Sequence, residues 1–260
     1  MEFKLEIVPD AAALARTVAD VFIATANKAV EKKGSFTVAL SGGSTPKALY
    51  SLLTTDRDLN SRVPWQKIDF FFGDERSVPP DHPDSNYRSA YEGMLAKMSI
   101  DPKRVFRMQG EYKETDKAAA EYEKVLRDFF HLSTGQFPRF DLIMLGMGPD
   151  GHTASLFPGT KALDEHNRLV TANWVGKFFT HRITMTAPVL NNGVCVMFMV
   201  GGQDKAPALK AVLEGPYEPA QLPSQLIRPA LGKLWWLVDK SAAAMLDPST
   251  AIPVNIAATG

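Results

Sequence analysis

The chain is short of the features that fasten a protein from outside its core. One cysteine, Cys195, in 260 residues excludes an intrachain disulfide and a cysteine-based metal cluster. There is no excess of charge of either sign, 29 Lys plus Arg against 29 Asp plus Glu, and so no electrostatic case for nucleic acid or an anionic membrane surface. No uninterrupted apolar run is long enough to span a bilayer, and the opening MEFKLEIVPD lacks a charged-then-apolar signal pattern. These absences point to a soluble, cytoplasmic protein without nucleic-acid or membrane partners, monomeric or a small homo-oligomer. An anionic small molecule would have to be held by local groups. The 45% hydrophobic content is ample for a core, and 260 residues fit one domain, 1–260.

What is present is an alternation of short apolar runs and amphipathic stretches. Residues 3–8 alternate in polarity, as an edge strand does. Residues 11–33 are alanine-rich, with Leu14, Val18, Val21, Phe22 and Val30 at helical spacing, and Gly34 stops them. Strands are expected at 36–40, 68–72, 142–145, 194–200 and 234–238, with shorter ones at 105–108 and 169–172. Helices are expected at 47–53, with Pro46 in the first turn, and at 86–97, capped by Asp84 or Ser85. Further helices are expected at 113–130 and 206–213, and a short one capped by Ser241. Residues 177–181 read as a mobile loop and 214–223 as the loosest segment. Strands alternating with helices predict an α/β fold, a mostly parallel Rossmann-like sheet with helices on both faces.

Four of the predicted strands end in glycine and chemistry. The first runs into Ser41-Gly42-Gly43-Ser44-Thr45-Pro46. Its glycines admit a close backbone approach, and the following helix start offers N–H groups to an anion. An ordinary Ser/Thr cap accounts for the hydroxyls but not for the paired glycines. The loop is neither GxGxxG nor a nucleotide-triphosphate P-loop, which favours a phosphate monoester. The second strand runs into Gly73-Asp74-Glu75-Arg76, whose charges would otherwise pair weakly on the surface. The third reaches Gly146-Met147-Gly148-Pro149-Asp150-Gly151-His152. The fourth ends at Gly201-Gly202-Gln203-Asp204-Lys205, where a cation at a helix start is misplaced unless an anion joins it. In an open parallel sheet such ends share one edge. One histidine with acids and an arginine suits general-base activation of water. His82, His131, His166 and His181 have no partner pattern, and Cys195 reads as a core residue.

The motifs ALSGGSTPKALY, DFFFGDERSVPPDHPDSNYR, LIMLGMGPDGHTASLFPG and MVGGQDKAPALKAVLEG, in that order from about Phe36 to Val238, resemble those of the 6-phosphogluconolactonases. The resemblance implies hydrolysis of 6-phospho-D-glucono-1,5-lactone to 6-phosphogluconate in the oxidative pentose phosphate pathway, without cofactor or metal. It also implies the modified doubly wound fold shared with glucosamine-6-phosphate deaminases. By position, it implies His152 as the base and Arg76 as the stabiliser of the carbonyl oxygen. Asp150 or Asp74 would orient them, and Gly42, Gly43, Ser44, Thr45, Arg182 and Lys205 would contact phosphate. A glucosamine-6-phosphate deaminase is the nearest alternative. That family has tyrosine where Arg76 stands and a ring-opening glutamate where Phe157 stands. A non-catalytic sugar-phosphate sensor would need neither His152 nor Arg76. A metal site built from His152 with Asp74 or Glu75 is a poor zinc set.

Overall fold

The computed structural model describes residues 3–250. Its elements, in chain order, are β1 (Lys4–Val8), α1 (Ala11–Lys33), β2 (Phe36–Leu40), α2 (Ser44–Thr55), α3 (Arg57–Arg62), β3 (Ile68–Phe72), β4 (Asp74–Arg76), α4 (Asn86–Ala90), α5 (Thr115–Phe130), β5 (Leu142–Leu145), β6 (Val170–Val175), β7 (Thr180–Met185), α6 (Ala187–Asn191), β8 (Cys195–Val200), α7 (Ala206–Glu214) and β9 (Lys233–Asp239). Six strands form a parallel sheet in the order β1-β9-β8-β5-β2-β3. The other three form a small antiparallel sheet, β4-β7-β6.

The period of two along each strand sorts side chains to opposite faces. On β5, Leu142 and Met144 join one core while Ile143 and Leu145 join the other. On β8, Cys195, Met197 and Met199 part in the same way from Val196, Phe198 and Val200. One core is covered by α1 and α2, through residues such as Leu14, Phe22 and Tyr50. The other lies under α5, α7 and the small sheet, through Tyr122, Leu209 and Ile183. Continuous apolar strands, rather than alternating ones, are what this two-sided burial requires. The expected parallel sheet with helices on both faces is therefore present.

Several local expectations need correction. The second helix begins at Ser44, not Lys47, because Gly43 serves as its N-cap at φ 109° and no side chain is needed there. The helix from Asn86 is regular only to Ala90. It then widens into a π-helical turn, Tyr91–Leu95, where Gly93 lies against Tyr50. Residues 105–108 make one parallel bridge, Val105 to Phe70, rather than a strand. Ser241 caps no helix. Residues 240–245 are turns, and Asp239 at the end of β9 accepts from the Ala242 N–H at 2.7 Å and from the Gly202 N–H. Residues 177–181 belong to the turn and second strand of the β6–β7 hairpin. Residues 214–223 are tied down by Gln225, whose amide donates to the carbonyls of Ala211 and Pro216 and accepts from the Glu218 N–H.

The edge strand β3 is not left open. The Phe106 N–H donates to the Phe70 carbonyl at 2.8 Å, and the buried Tyr122 hydroxyl accepts from the Phe72 N–H at 2.9 Å. Tyr122 thus pins α5 to the strand end next to Gly73. Replacing it leaves a buried N–H without a partner. Tyr122→Phe is expected to cost about 1–3 kcal/mol in denaturant unfolding, and a change within error would mean that the hydroxyl is not holding the edge.

Candidate active site

The carboxyl ends of β2, β5 and β8, with β4 beside them, surround a cavity of about 250 Å³. Its wall takes Ser41 to Pro46 after β2, Asp74, Arg76 and Asn86, Gly146 to Pro149 with His152 after β5, and Gly201 with Lys205 after β8. All four loops singled out in the sequence therefore converge. Of the expected site residues, Gly42, Gly43, Ser44, Thr45, Asp74, Arg76, His152 and Lys205 line the cavity. Asp150 stands directly behind His152. Arg182 is not part of this wall; it sits opposite Arg76 in the β4–β7 register.

The glycine loop leaves its donors unspent. No side chain caps α2, and the N–H groups of Gly42 and Gly43 have no acceptor among the described residues. With the first-turn N–H groups of the helix they leave a row of donors without partners, the kind of helix end suited to an anion. Gly42 has no room for a side chain, since a β-carbon there would stand 1.8 Å from Asn86 Oδ1.

The histidine turn is wound tightly. The Gly148 N–H donates to the His152 carbonyl at 2.9 Å, the Thr153 hydroxyl donates to the Gly146 carbonyl at 2.8 Å, and Gly151 takes φ 74°. Gly148 is required because its β-carbon would collide with the imidazole at 2.0 Å. His152 Nδ1 lies 2.5 Å from Asp150 Oδ1, and no hydrogen bond to Nε2 is found among the described residues. The imidazole stacks on Phe157, centroids 4.0 Å apart at 23°. Asp150 also receives the Lys177 ammonium at 2.9 Å. Burial alone would raise the Asp150 carboxyl, but the hydrogen bonds from His152 and Lys177 outweigh it and hold the group well below the usual aspartate range.

The acidic cluster after β3 is not the surface network that the sequence allowed. Asp74 and Glu75 are buried. Asp74 Oδ2 accepts from the Ser155 hydroxyl at 2.7 Å, and Oδ1 from Asn86 Nδ2 at 3.1 Å. Glu75 accepts from the N–H groups of Arg76, Asn86 and Tyr87 and from the Ser85 hydroxyl. Burial pushes its carboxyl up against the pull of those backbone bonds. Arg76 donates to the Asp84 carbonyl. Arg182 is shifted down, by burial first and by the neighbouring Arg76 second. Two guanidinium groups on directly opposed residues repel, so the pair favours an anion between or beside them. Lys205 is at the N-cap of α7 as expected, but its ammonium is already paired with Asp204 at 2.5 Å.

Sequence reasoning missed three residues. Asn86 donates both amide protons to Asp74, at its carbonyl and Oδ1, leaving its own Oδ1 buried without a donor; Ser41 Oγ is also buried and unpartnered. Both residues line the cavity, although these two atoms are themselves covered. Nothing local in the sequence marks Asn86 except its place after the Ser85 cap. Phe157 marks a departure from deaminases in the sequence, and only the fold shows it as the ring under the imidazole. Lys177 stands in a segment without local pattern, and only the fold brings it to Asp150.

The fold and the cavity define an α/β protein with a histidine–carboxylate pair beside a strand edge that carries an uncapped helix N-terminus. Comparison with known proteins narrows this. The sequence matches the family described as glucosamine-6-phosphate isomerases/6-phosphogluconolactonase over residues 9–236. A 6-phosphogluconolactonase of Nostoc sp. is 40% identical over 247 residues, covering 95% of this chain and 100% of that protein. Another, of Synechocystis sp., is 42% identical over 85% of this chain and 89% of its own length. The solved 6-phosphogluconolactonase from Trypanosoma cruzi superposes with a TM-score of 0.82 at 28% identity, covering 94% of this chain and 96% of that one. The chain belongs to the glucosamine-6-phosphate isomerase/6-phosphogluconolactonase family.

Because the folded-state pKa of Asp150 is depressed, the stability it contributes is complete above the ordinary value of about 3.9 and is lost only as pH falls through the lower one. Comparing thermal unfolding of the native chain and Asp150→Asn between pH 7 and pH 3, the Tm gap is expected not to shrink until below about pH 4. A gap that closes by pH 5 would contradict the ion pairing.

Proposed function

We propose that this protein hydrolyses 6-phospho-D-glucono-1,5-lactone to 6-phospho-D-gluconate, with His152 as the base. The observation that carries the reading is the imidazole itself. Its Nδ1 is held by Asp150 while Nε2 is unspent, beside a cavity shared with the glycine loop, Arg76 and Lys205. The near-full-length lactonase relatives supply the substrate class.

In this reading the phosphate is held by the N–H groups of Gly42 to Thr45, the Ser44 and Thr45 hydroxyls and Lys205, with Arg182 contributing positive charge from behind Arg76. Water gives a proton to His152 Nε2 as its oxygen bonds to the lactone carbonyl carbon. The oxyanion that forms is stabilised by the Arg76 guanidinium. Collapse of the tetrahedral intermediate breaks the ring C–O bond, and the imidazolium returns its proton to the departing alkoxide. The new carboxylic acid ionises, so turnover releases acid. Asp150 keeps the imidazole in one tautomer and orientation and stays ionised, as the orienting acid of a catalytic triad does. Deaminase chemistry needs a further acid at the position of Phe157, which here is an apolar ring stacked on the imidazole.

His152→Ala is expected to lower turnover by ~100-fold or more, the usual scale for a lost general base. The assay follows acid release from freshly generated lactone with the spontaneous opening subtracted, and unchanged corrected turnover would remove His152 from the mechanism. Lys205→Ala is expected mainly to raise KM, because a phosphate anchor serves ground and transition states alike. A loss confined to kcat would contradict that role.

A further inference from the structure

Two separate contacts join the tip of the β6–β7 hairpin to the candidate base. One is ionic. Lys177 Nζ lies 2.9 Å from Asp150 Oδ2, and the other oxygen of that carboxylate meets His152 Nδ1. The other is aromatic. Phe178 meets Phe157 edge-on, 5.7 Å between centroids at 82°, and Phe157 stacks on the imidazole. The routes act in different directions. The carboxylate fixes the imidazole within its plane through Nδ1, and the stacked ring fixes it perpendicular to that plane. Each intermediary needs backing of its own. A carboxylate held at one oxygen can still turn about its Cβ–Cγ bond, and a cation on the second oxygen removes that freedom. The Phe157 ring is backed in turn by Phe178, which is flanked by Lys177 Nζ at 5.5 Å and by the Arg182 guanidinium at 5.7 Å.

Both tip residues come from one short turn, Gly176–Phe178, and neither lines the cavity. As stability elements they are weak. The Lys177 side chain is 55% exposed, and an ion pair in such a position contributes little to folding. Their convergence on a single ring needs another reason. We propose that Lys177 and Phe178 are positioning residues, which hold the His152–Asp150 pair in the geometry that activates water without touching the substrate. This rests on His152 being the base of the proposed hydrolysis. The hairpin belongs to the small antiparallel sheet, so the arrangement makes turnover depend on an element outside the parallel sheet that carries the site.

The test uses the full chain with Lys177→Met, which keeps the length of the side chain and removes its charge, Lys177→Arg, and Phe178→Leu. Because both residues are half exposed, Tm is expected to stay within a few degrees of the native value. Lys177→Met should lower kcat by about 10-fold, short of the ~100-fold that a 1 Å misplacement of reacting groups can cost. KM should change less than twofold, and Lys177→Arg should restore most of the lost kcat. The Lys177→Met/Phe178→Leu double variant should lose less than the product of the single losses, since both act through one ring. Unchanged kcat in Lys177→Met, or a loss seen only in KM, would overturn the proposal. Nitrogen-15 NMR of the His152 imidazole reads the clamp even if the native protein does not hydrolyse the lactone. Lys177→Met should shift or broaden the Nδ1 resonance, and an unaltered resonance would overturn the clamp independently of the assigned reaction.

Discussion

One buried carboxylate governs how the two sheets meet. At Gly73 the chain leaves the parallel sheet and enters the antiparallel one. The Gly73 N–H donates to Leu40 of β2 at 2.9 Å, and its carbonyl accepts from Met185 of β7 at 2.8 Å. Two residues on, Glu75 collects three backbone N–H groups and the Ser85 hydroxyl. A buried carboxylate is tolerated only when its lone pairs are met, and here four donors from 76 and 85–87 meet them. The same bonds close the proline-rich loop between them and cap α4. Arg76 and Asn86 thereby reach the cavity from opposite ends of that loop.

The net charge of zero conceals a polarised site. Arg76, Lys205 and the open N-terminus of α2 gather at the strand ends with Asp74 in the same wall, Arg182 stands opposite Arg76, and Asp150 lies behind His152. The lone pairs of these carboxylates are met by Ser155, Asn86, His152 and Lys177, while Asp74 also offsets part of the positive charge on Arg182 and Asp204 pairs with Lys205. Asp150 and Phe157 between them keep the imidazole in a defined orientation. Cys195 takes no part. It is buried in β8, its thiol pushed up to about 11 by burial.

Most of what was legible in the sequence was legible because burial on both faces leaves a simple signature. β5 is an unbroken apolar run, and β2 and β3 are apolar but for Thr37 and Asp69, each bounded by glycine or polar residues, so their limits follow from that pattern. The helix α1 could be read from its 3.6-residue spacing and from Gly34, which adopts φ 82° to end it. The small sheet was harder. β4 has three residues, Asp74, Glu75 and Arg76, that carry no apolar pattern, and it exists because β7 pairs with it. The hairpin tip at 177–181 carries no apolar periodicity that marks its long-range contacts, those of Lys177 and Phe178. Their partners, Asp150 and Phe157, are more than twenty residues away.

The sequence by itself determined the parallel sheet, the four glycine-bearing strand ends and the residue types they deliver, since these depend on local periodicity and backbone freedom. Only the tertiary structure decided which side of His152 is free, that Asp150 rather than Asp74 holds it, that Asp74 and Glu75 are internal, that Asn86 lines the cavity and that Lys177 meets Asp150. Those are matters of long-range packing and hydrogen bonding, in which a donor finds its acceptor across the fold, and no spacing along the chain encodes them.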